Sequence, residues 1–333
     1  MPDQVAVVIL NFNGRNYLEQ FLPSVIKNSK PHKVIVADNA STDDSVAFLQ
    51  SQYPNQQLIL MEKNTGFAGG YNEALAQINA EYFVLLNSDV EVTPNWIDPV
   101  IHLMQEKPEI IACQPKIKSF YKKTHFEYAG AAGGFIDYLG YPFCRGRIFS
   151  TLEEDKGQYD DDKEIFWATG ACFFVKAKPF FELGALDERF FAHMEEIDFC
   201  WRAKNKGYRI YYTAKSTVYH VGGGTLQTDS PYKTYLNFRN NLLMLYKNLS
   251  LIEFTPLYKK RKLLDYLAAT QFFLQGKAKN GQQVLKAHQD FKKMAQAYNS
   301  ENTEGLDHPE ILKKSLLKEY FLRQKKHFSD LQF

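Results

Sequence analysis

The first 110 residues alternate between short apolar runs and longer amphipathic segments. The apolar runs are rich in β-branched residues and comprise VAVVIL (5–10), KVIVAD (33–38), LILME (58–62) and YFVLLN (82–87). Between the first two runs, apolar residues recur at helical spacing from Leu18 to Ile26. Strands that are apolar throughout need cover on both faces, and intervening helices supply it. The alternation therefore predicts an α/β fold with a mostly parallel central sheet flanked by helices.

Polar, turn-forming residues follow each of the four apolar runs. They comprise Asn11 to Gly14, Asp38 and Asn39, Asn64 to Gly66, and Asn87 to Asp89. Because the carboxyl ends of parallel strands meet at one edge of a sheet, and ligands bind beyond that edge, these residues predict one shared site. The loop after the first run lacks the GxGxxG pattern of dinucleotide-binding folds, and the chain has no P-loop pattern. The site therefore either holds a phosphate-bearing ligand by other means or holds no such ligand.

The middle of the chain changes character twice. Residues 118–163 are rich in glycine, aromatic and charged residues without a regular period, which predicts a long loop that is functional or mobile. A strand pattern resumes at residues 164–177. The segment EEIDFCWRAKNKG (195–207) then predicts a helix that ends at Gly207.

The C-terminal third is predicted to be helical. Its last segment, ILKKSLLKEYFLRQKKHF, places apolar residues from Leu312 to Phe321 on one face of an amphipathic helix. We therefore divide the chain into a domain over residues 1–230 and a basic amphipathic helical region over residues 231–333.

Charge is divided unevenly between these two parts. Residues 1–230 carry 22 Lys and Arg against 29 Asp and Glu, whereas residues 231–333 carry 18 against 9. A basic tail on an acidic body favours an anionic contact such as phospholipid, a lipid-linked phosphate or nucleic acid. A solvated charged surface gives the same counts, so both interpretations stay open.

Cysteine usage and hydropathy predict the compartment. The four cysteines show neither a CxxC pattern nor the spacing of a metal site, which predicts reduced thiols. No basic segment precedes the first apolar run, so we expect no signal peptide, and no run of about 18 apolar residues could span a bilayer. We expect a cytoplasmic protein, either free or peripheral to the inner face of the plasma membrane.

Seven ordered segments resemble family 2 of the inverting glycosyltransferases, which have the GT-A fold, and in particular its rhamnosyltransferase-like members. The segments are VVILNFNGRNYLEQFLPSV, VIVADNASTDDS, NTGFAGGYNEAL, FVLLNSDVEVTP, TGACFFVKA, ALDERFFAHMEEIDFCWRAKNKGYRIYY and VYHVGGGT. Together they span roughly residues 4–245. The resemblance implies transfer of a sugar from a dTDP- or UDP-linked donor to a hydroxyl of a glycan or lipid-linked acceptor. It implies no nucleic acid partner, and it leaves the basic tail to a membrane surface, a lipid carrier or a second subunit in a homodimer.

The resemblance also implies donor contacts along the strand ends. Asp38 would accept a hydrogen bond from the ring N–H of uracil or thymine, and Asn11 and Asn13 would frame the base and ribose. The ribose and diphosphate side would be lined by Asn64, Gly66 and Asn72. Arg239, in an Arg-Asn pair that the family often shows, is either a diphosphate or acceptor contact or an arginine on a helix surface.

A divalent cation follows from the same resemblance. Asp89 matches the final acid of the family's DxD-type motif, which contacts the sugar nucleotide and Mg²⁺ or Mn²⁺. Asn87 stands where the motif often has its first acid, so it keeps an oxygen for the ribose or donor sugar but lacks a charge. His220 corresponds to a histidine that completes the metal or diphosphate site, and the glycines after it, Gly222 to Gly224, would permit a mobile flap.

The catalytic base is predicted in MEEIDFCWR. A metal-bound diphosphate leaves without protonation, so one positioned base that accepts the proton of the acceptor hydroxyl suffices. By alignment Glu196 takes this position, where the family commonly has aspartate; Glu195 and Asp198 are the alternatives. Asp198 is also spaced for an ion pair with Arg202. Asn87 and Glu196 depart from the family's pattern, so a second functional class stays open: a non-catalytic nucleotide- or glycan-binding module of the same fold.

Overall fold

The computed structural model describes residues 3–222, 230–298 and 305–333. Its strands, in chain order, are β1 (Asp3–Asn11), β2 (Lys33–Asp38), β3 (Gln57–Leu60), β4 (Ala80–Asn87), β5 (Val90–Val92), β6 (Ile110–Ser119), β7 (Gly134–Asp137), β8 (Pro142–Cys144), β9 (Arg147–Ile148), β10 (Thr151–Leu152), β11 (Asp162–Ile165), β12 (Cys172–Lys176), β13 (Arg209–His220) and β14 (Ile311–Leu312). Its α-helices are α1 (Arg15–Asn28), α2 (Ser45–Gln52), α3 (Gly66–Leu75), α4 (Asp98–Glu106), α5 (Ala177–Glu182), α6 (Glu195–Asn205), α7 (Pro231–Asn248), α8 (Leu251–Leu274) and α9 (Ala278–Ala295).

The central sheet has the strand order β11-β13-β6-β12-β4-β1-β2-β3, and β5 pairs with β13. The four strands predicted from the apolar runs form its parallel part, β4-β1-β2-β3. Beyond β4 the sheet is mixed, because β12 lies antiparallel between β4 and β6. The predicted α/β sheet flanked by helices is thus confirmed, and the order of its second half is an addition.

Alternation along the buried strands explains why both faces carry a core. In β1, Ala6 and Val8 belong to one apolar cluster, whereas Val5, Val7 and Ile9 belong to the other. Helices cover both clusters. The strand register pairs Asn11 with Asp38 and Leu10 with Asn87, so the polar ends of the strands meet at one edge, as predicted.

The prediction of a long loop over residues 118–163 is wrong. This segment holds β7 to β10, which form a second sheet of order β10-β9-β8-β7-β14. Its strands are only two to four residues long, so they show no period in the sequence. Their apolar side chains nevertheless pack into the core; Phe143 and Ile148 are fully buried.

The predicted amphipathic helix over residues 311–328 forms only in part, as a short helical segment over residues 316–322. Ile311 and Leu312 instead form β14, parallel to β7. The turn that follows is fixed by Asp137, whose Oδ2 accepts a hydrogen bond from the Leu316 backbone N–H at 2.9 Å. Buried Leu316 and Tyr320 then pack against the core. Tertiary pairing therefore overrides the helical spacing of the leucines.

The rest of the C-terminal region is helical, as predicted. Helix α7 packs on α9 and α6, and α8 packs on α9. Within the three described ranges, no helix is long and apolar enough to cross a membrane. All four cysteines are free and buried, which agrees with the expectation of reduced thiols. The division of the chain at residue 230 stays a prediction.

Candidate active site

Asn11 and Asp38 meet at the carboxyl edge of the parallel strands. Asn11 Nδ2 donates to Asp38 Oδ2 at 2.8 Å, and both side chains are buried. Ser41 donates to the same carboxylate from its backbone N–H at 2.8 Å and its hydroxyl at 2.7 Å. Asp38 therefore fixes the turn after β2. Its contact with a nucleobase stays a prediction, as does that of Asn11, whose Oδ1 has no partner within the described residues.

Asn13 links two of the strand-end loops. It lies in the left-handed region at φ 52°, and its Oδ1 accepts hydrogen bonds from the backbone N–H groups of Thr42 at 2.7 Å and Asp43 at 3.2 Å. Asp43 in turn accepts from the Ser45 N–H at the start of α2. The capping sequence STDDS is thus tied to the first strand loop, and the exposed Asn13 stands at the rim of the edge.

Asn64 and Gly66 shape the start of α3. Asn64 Oδ1 accepts from the Gly66 N–H at 2.8 Å and from Asn39 Nδ2 at 3.1 Å. Gly66 has φ 76°, and a Cβ there would lie 2.4 Å from the carbonyl oxygen of Phe191. Only glycine permits this backbone approach. The contact of these residues with ribose and diphosphate stays a prediction, whereas their packing against residue 191 is observed.

In the structure, Asn72 contacts the turn at residues 186–188, and its contact with ribose or diphosphate stays a prediction. Its Nδ2 donates to the Leu186 carbonyl at 2.8 Å, and its Oδ1 accepts from the Leu186 N–H at 3.2 Å. A second bond joins Nδ2 to Glu188 Oε1 at 3.2 Å. The amide is therefore engaged on both sides, and Asn72 positions the turn at residues 186–188.

A buried chain of three ionisable side chains joins the ends of β4 and β13. Asp89 Oδ1 lies 3.1 Å from His220 Nε2, and His220 Nδ1 lies 3.0 Å from Glu127 Oε2. Asn87 Nδ2 stands 3.5 Å from the same Nε2. The sequence predicted Asp89, Asn87 and His220 at one place. It did not indicate Glu127, which lies in the patternless segment before β7.

Burial and charge oppose one another in this chain of side chains. Burial would raise the pKa of the Asp89 carboxyl, but the adjacent His220 lowers it below its usual value. Burial would likewise lower the pKa of His220, yet Asp89 and Glu127 raise it to about 10. Asp89 and His220 therefore form an ion pair at neutral pH. Gly222 packs directly beside Glu127, whereas the predicted flap glycines Gly223 and Gly224 lie outside the described residues.

The side chains of Asp89 and His220 fit a divalent cation. His220 directs Nδ1 at Glu127 and Nε2 at Asp89 Oδ1, and a carboxylate behind a histidine is the arrangement that orients metal-ligating imidazoles. A cation would have to displace the Nε2 proton of the ion pair to bind there. Two side chains leave further coordination positions to diphosphate oxygens and water, as Mg²⁺ prefers. Within the described residues, no group of three or more His, Cys, Asp or Glu is arranged to hold a metal by itself.

Among the three predicted base candidates, Asp198 has a structural role. It is fully buried, and its Oδ2 accepts from Arg202 Nε at 2.9 Å and from Lys247 Nζ at 2.8 Å. Asn248 Nδ2 donates to its Oδ1 at 2.9 Å. Burial would raise the pKa of Asp198, but the two cations lower it. Two cations and full burial therefore leave this carboxylate poorly suited to accept a substrate proton.

Glu195 and Glu196 lie in the first turn of α6 in a different state. Neither Oε2 has a hydrogen-bond partner within the described residues. Burial, reinforced by Glu196, raises the pKa of Glu195 well above its usual value. Burial raises the pKa of Glu196 to about 7. Glu196, which is partly exposed, is therefore the carboxylate poised to accept a proton near neutrality.

The turn that leads into α6 is strained. Phe191, His193 and Met194 have φ values of 65°, 71° and 74°, which side chains with a Cβ rarely adopt. Such conformations persist only where surrounding contacts enforce them, and they concentrate at functional sites. The strain here falls directly before Glu195 and Glu196.

Two residues of α7 hold this turn. Asn240 Nδ2 lies 2.8 to 2.9 Å from the carbonyl oxygens of Phe190, Ala192 and His193. Arg239 Nη2 donates to the Phe190 carbonyl at 3.0 Å. Arg239 is buried, so it is not the helix-surface arginine that the sequence left open, whereas its contact with diphosphate or acceptor stays a prediction. We call these two residues the α7 clamp.

The fold is that of a GT-A glycosyltransferase. A family model for "Glycosyl transferase family 2" matches residues 6–184, more than half of the chain. The chain belongs to this family, and the resemblance found in the sequence is confirmed. It is similar to an N-acetylglucosaminyl-diphospho-decaprenol L-rhamnosyltransferase of Mycobacterium tuberculosis, with 27% identity over 236 residues that cover 66% of this chain and 76% of the relative.

Two solved structures share the fold at low identity. GalNAc-T7 with UDP, GalNAc and Mn²⁺ has a TM-score of 0.56 and 16% identity, over 87% of this chain and 55% of that chain. This chain therefore spans about half of that enzyme. The mannosyltransferase PcManGT from Pyrobaculum calidifontis, with GDP-Man and Mn²⁺, has a TM-score of 0.53 and 14% identity, over 90% of this chain and 77% of that chain.

Proposed function

We propose that this glycosyltransferase moves a sugar, with inversion, from a nucleoside-diphosphate donor to a hydroxyl of a glycan or lipid-linked glycan. The observation that carries the proposal is the position of Glu196 in the first turn of α6, directly after the strained turn, where burial raises its pKa to about 7 and its Oε2 has no hydrogen-bond partner within the described residues. Inversion by direct displacement needs one such base and no second carboxylate as nucleophile. Asp198 forms ion pairs with Arg202 and Lys247, and Glu195 is buried, so Glu196 is the most accessible of the three carboxyl groups.

In the proposed mechanism the strand-end residues bind the donor. Asn11, Asn13 and Asp38 frame the nucleoside, and Asn64 and Gly66 lie on the diphosphate side. Asp89 and His220 would hold Mg²⁺ or Mn²⁺ with the diphosphate, and Glu127 would keep the His220 ring oriented. When bound, the cation stabilises the negative charge of the leaving diphosphate. Glu196 accepts the proton of the acceptor hydroxyl.

The choice of substrates rests on relatives. The similar Mycobacterium tuberculosis protein is an N-acetylglucosaminyl-diphospho-decaprenol L-rhamnosyltransferase. This similarity supports dTDP-rhamnose as donor and a lipid-linked acceptor in polysaccharide synthesis for this chain. GalNAc-T7 and PcManGT were each solved with a nucleotide or nucleotide sugar and Mn²⁺, which supports a cation-assisted donor site. A lipid-linked acceptor would place the protein at the inner face of the plasma membrane, as a peripheral protein.

A non-catalytic binding module is the second candidate function. Asn87 in place of an acid and Glu196 in place of aspartate are the observations that favour it. Such a module would bind nucleotide sugar without consuming it.

Nucleoside diphosphate release separates the two candidates. The protein is incubated with a panel of nucleotide sugars and Mn²⁺ or Mg²⁺, and Asp89→Ala and Glu196→Gln are compared with the wild type. Glu182→Gln, an exposed acid on α5, is the matched control. We expect release with at least one donor, reduced by both site substitutions and unchanged in the control. No release with any donor, or release that neither site substitution changes, would contradict the enzymatic proposal.

A further inference from the structure

Helix α8 presents an apolar stripe to solvent. The side chains of Ile252, Leu263, Leu267 and Leu274 are 87%, 64%, 58% and 84% exposed. At 100° per residue, these four positions fall within an arc of about 60° on one side of the helix. We call them the outer face of α8. The opposite side of the helix carries its buried residues, including Phe254 and Leu257.

Basic side chains border this stripe, and acidic ones are absent from it. Lys259, Lys260 and Lys262 lie beside it, and none of the three pairs with a carboxylate in the part of the chain that the structure describes. The only two acids of α8 point elsewhere. Glu253 closes a capping box with Ser250, and Asp265 is buried against Arg261 and His288.

This combination selects one kind of partner. We propose that the outer face of α8 docks the protein onto the surface of an anionic phospholipid bilayer. A helix that lies in a membrane interface buries an apolar stripe and places lysines at the headgroups. A second copy of the chain is a poorer occupant, because a two-fold contact through this face would bring lysines against lysines.

The outer face of α8 is a better candidate for membrane contact than residues 311–328. The segment ILKKSLLKEYFLRQKKHF, which the sequence predicts to be an amphipathic helix, is also basic and leucine-rich. In the fold, Leu312 and Leu316 of that segment are fully buried beside the second sheet. Only Phe321 and Leu322 stay exposed there, at 55% and 76%, so the segment offers a far shorter apolar patch.

Vesicle co-sedimentation of the full chain tests the proposal. Vesicles of phosphatidylglycerol with phosphatidylcholine are compared with phosphatidylcholine alone, without donor or metal. We expect binding to the anionic vesicles that weakens with added salt, and little binding to the neutral ones. Leu263→Gln/Leu267→Gln should weaken binding at least about ten-fold. Lys259→Gln/Lys260→Gln should weaken it and reduce its dependence on salt.

Phe321→Gln/Leu322→Gln is the matched control and should bind like the wild type. Circular dichroism melting confirms that each variant is folded. Equal binding of wild type and Leu263→Gln/Leu267→Gln, loss of binding in the control, or no binding to anionic vesicles would overturn the proposal. So would a wild-type dimer in light scattering that Leu263→Gln/Leu267→Gln converts to monomer. Because no donor is present, the outcome is independent of the proposed transfer reaction.

Discussion

At the scale of single residues, Glu196 decides how the site works. We expect the transfer rate to rise with pH through about 7, because the base acts only when deprotonated and burial sets its pKa there. Glu196→Gln should lower the rate at least about 100-fold and remove that rise. A pH–rate profile of the wild type measures the apparent pKa. A rate that is flat between pH 6 and 8, or a variant with wild-type activity, would contradict this role.

The pKa shift of Glu196 also predicts that the free energy of unfolding falls with rising pH, whereas the transfer rate rises. The folded state raises the pKa of Glu196 above the usual value of 4.5, so it binds a proton more tightly than the unfolded chain. Stability therefore falls as the pH rises from about 4.5 through about 7. Glu196→Gln removes this loss and should raise the Tm at pH 8 by roughly 2–5 °C. A Tm at pH 8 below that of the wild type would show that the carboxylate is structural.

Glu127 has a role that follows from its bond to His220. Glu127→Ala leaves the imidazole without the partner that fixes its ring, so we expect Mn²⁺ affinity in the presence of nucleoside diphosphate to fall about 10- to 100-fold. Electron paramagnetic resonance of free Mn²⁺ measures the affinity without turnover. Glu91→Ala, a partly exposed acid on β5, is the control. An unchanged Mn²⁺ affinity in Glu127→Ala would show that Glu127 does not contribute to cation binding.

At the scale of secondary-structure elements, the α7 clamp connects the C-terminal helices to the site. Asn240→Ala removes the three contacts that hold the carbonyls of the strained turn. Loss of buried hydrogen bonds costs about 1–3 kcal/mol, and a relaxed turn displaces Glu196. We expect kcat to fall more than the donor KM rises. Asn237→Ala, on the same helix and half-buried, is the control. A change in Tm without a change in kcat would show that the α7 clamp stabilises the fold but does not position Glu196.

A second contact between α6 and α7 tests stability alone. Asp198→Asn leaves Arg202 and Lys247 facing a neutral side chain in a buried place, and breaking a buried ion pair costs about 3–5 kcal/mol. Chemical denaturation should show this loss. Asp98→Asn, whose partner His32 lies 3.3 Å away and whose own side chain is 70% exposed, should change stability by less than about 1 kcal/mol. Equal effects of the two substitutions would contradict the structural role of Asp198.

At the scale of the whole molecule, some features were readable in the sequence because they are local. The parallel strands β1 to β4 and the residues at their ends follow from apolar runs and turn residues, and Asp89 and His220 were both identified from ordered motifs. The bond from Glu127 to His220 joins residues 93 positions apart, and Glu127 lies in a segment without a period. Arg239 and Asn72 were identified by position, but their hydrogen bonds to backbone carbonyls depend on how distant loops fold.

The second sheet shows the same limit on a larger scale. Strands of two to four residues have no detectable period, and β14 forms because β7 offers a free edge 175 residues earlier in the chain. A chain that ends at residue 304 should lose this strand together with the packing of Leu316 and Leu331. We expect a lower Tm and increased binding of a hydrophobic dye. Leu322→Ser, exposed in the same segment, should melt like the wild type. An unchanged Tm in the shortened chain would show that the second sheet does not need β14.

Binding and turnover of the same donor, measured on the same samples, test the central claim most directly. Calorimetric titration of the donor that the panel identifies gives affinity in the presence of Mn²⁺, and nucleoside diphosphate release gives turnover. We expect Glu196→Gln to bind the donor like the wild type but to turn it over at least about 100-fold more slowly. We expect Asp89→Ala to lose donor affinity. A Glu196→Gln variant with wild-type turnover, or an Asp89→Ala variant with wild-type affinity, would contradict the account.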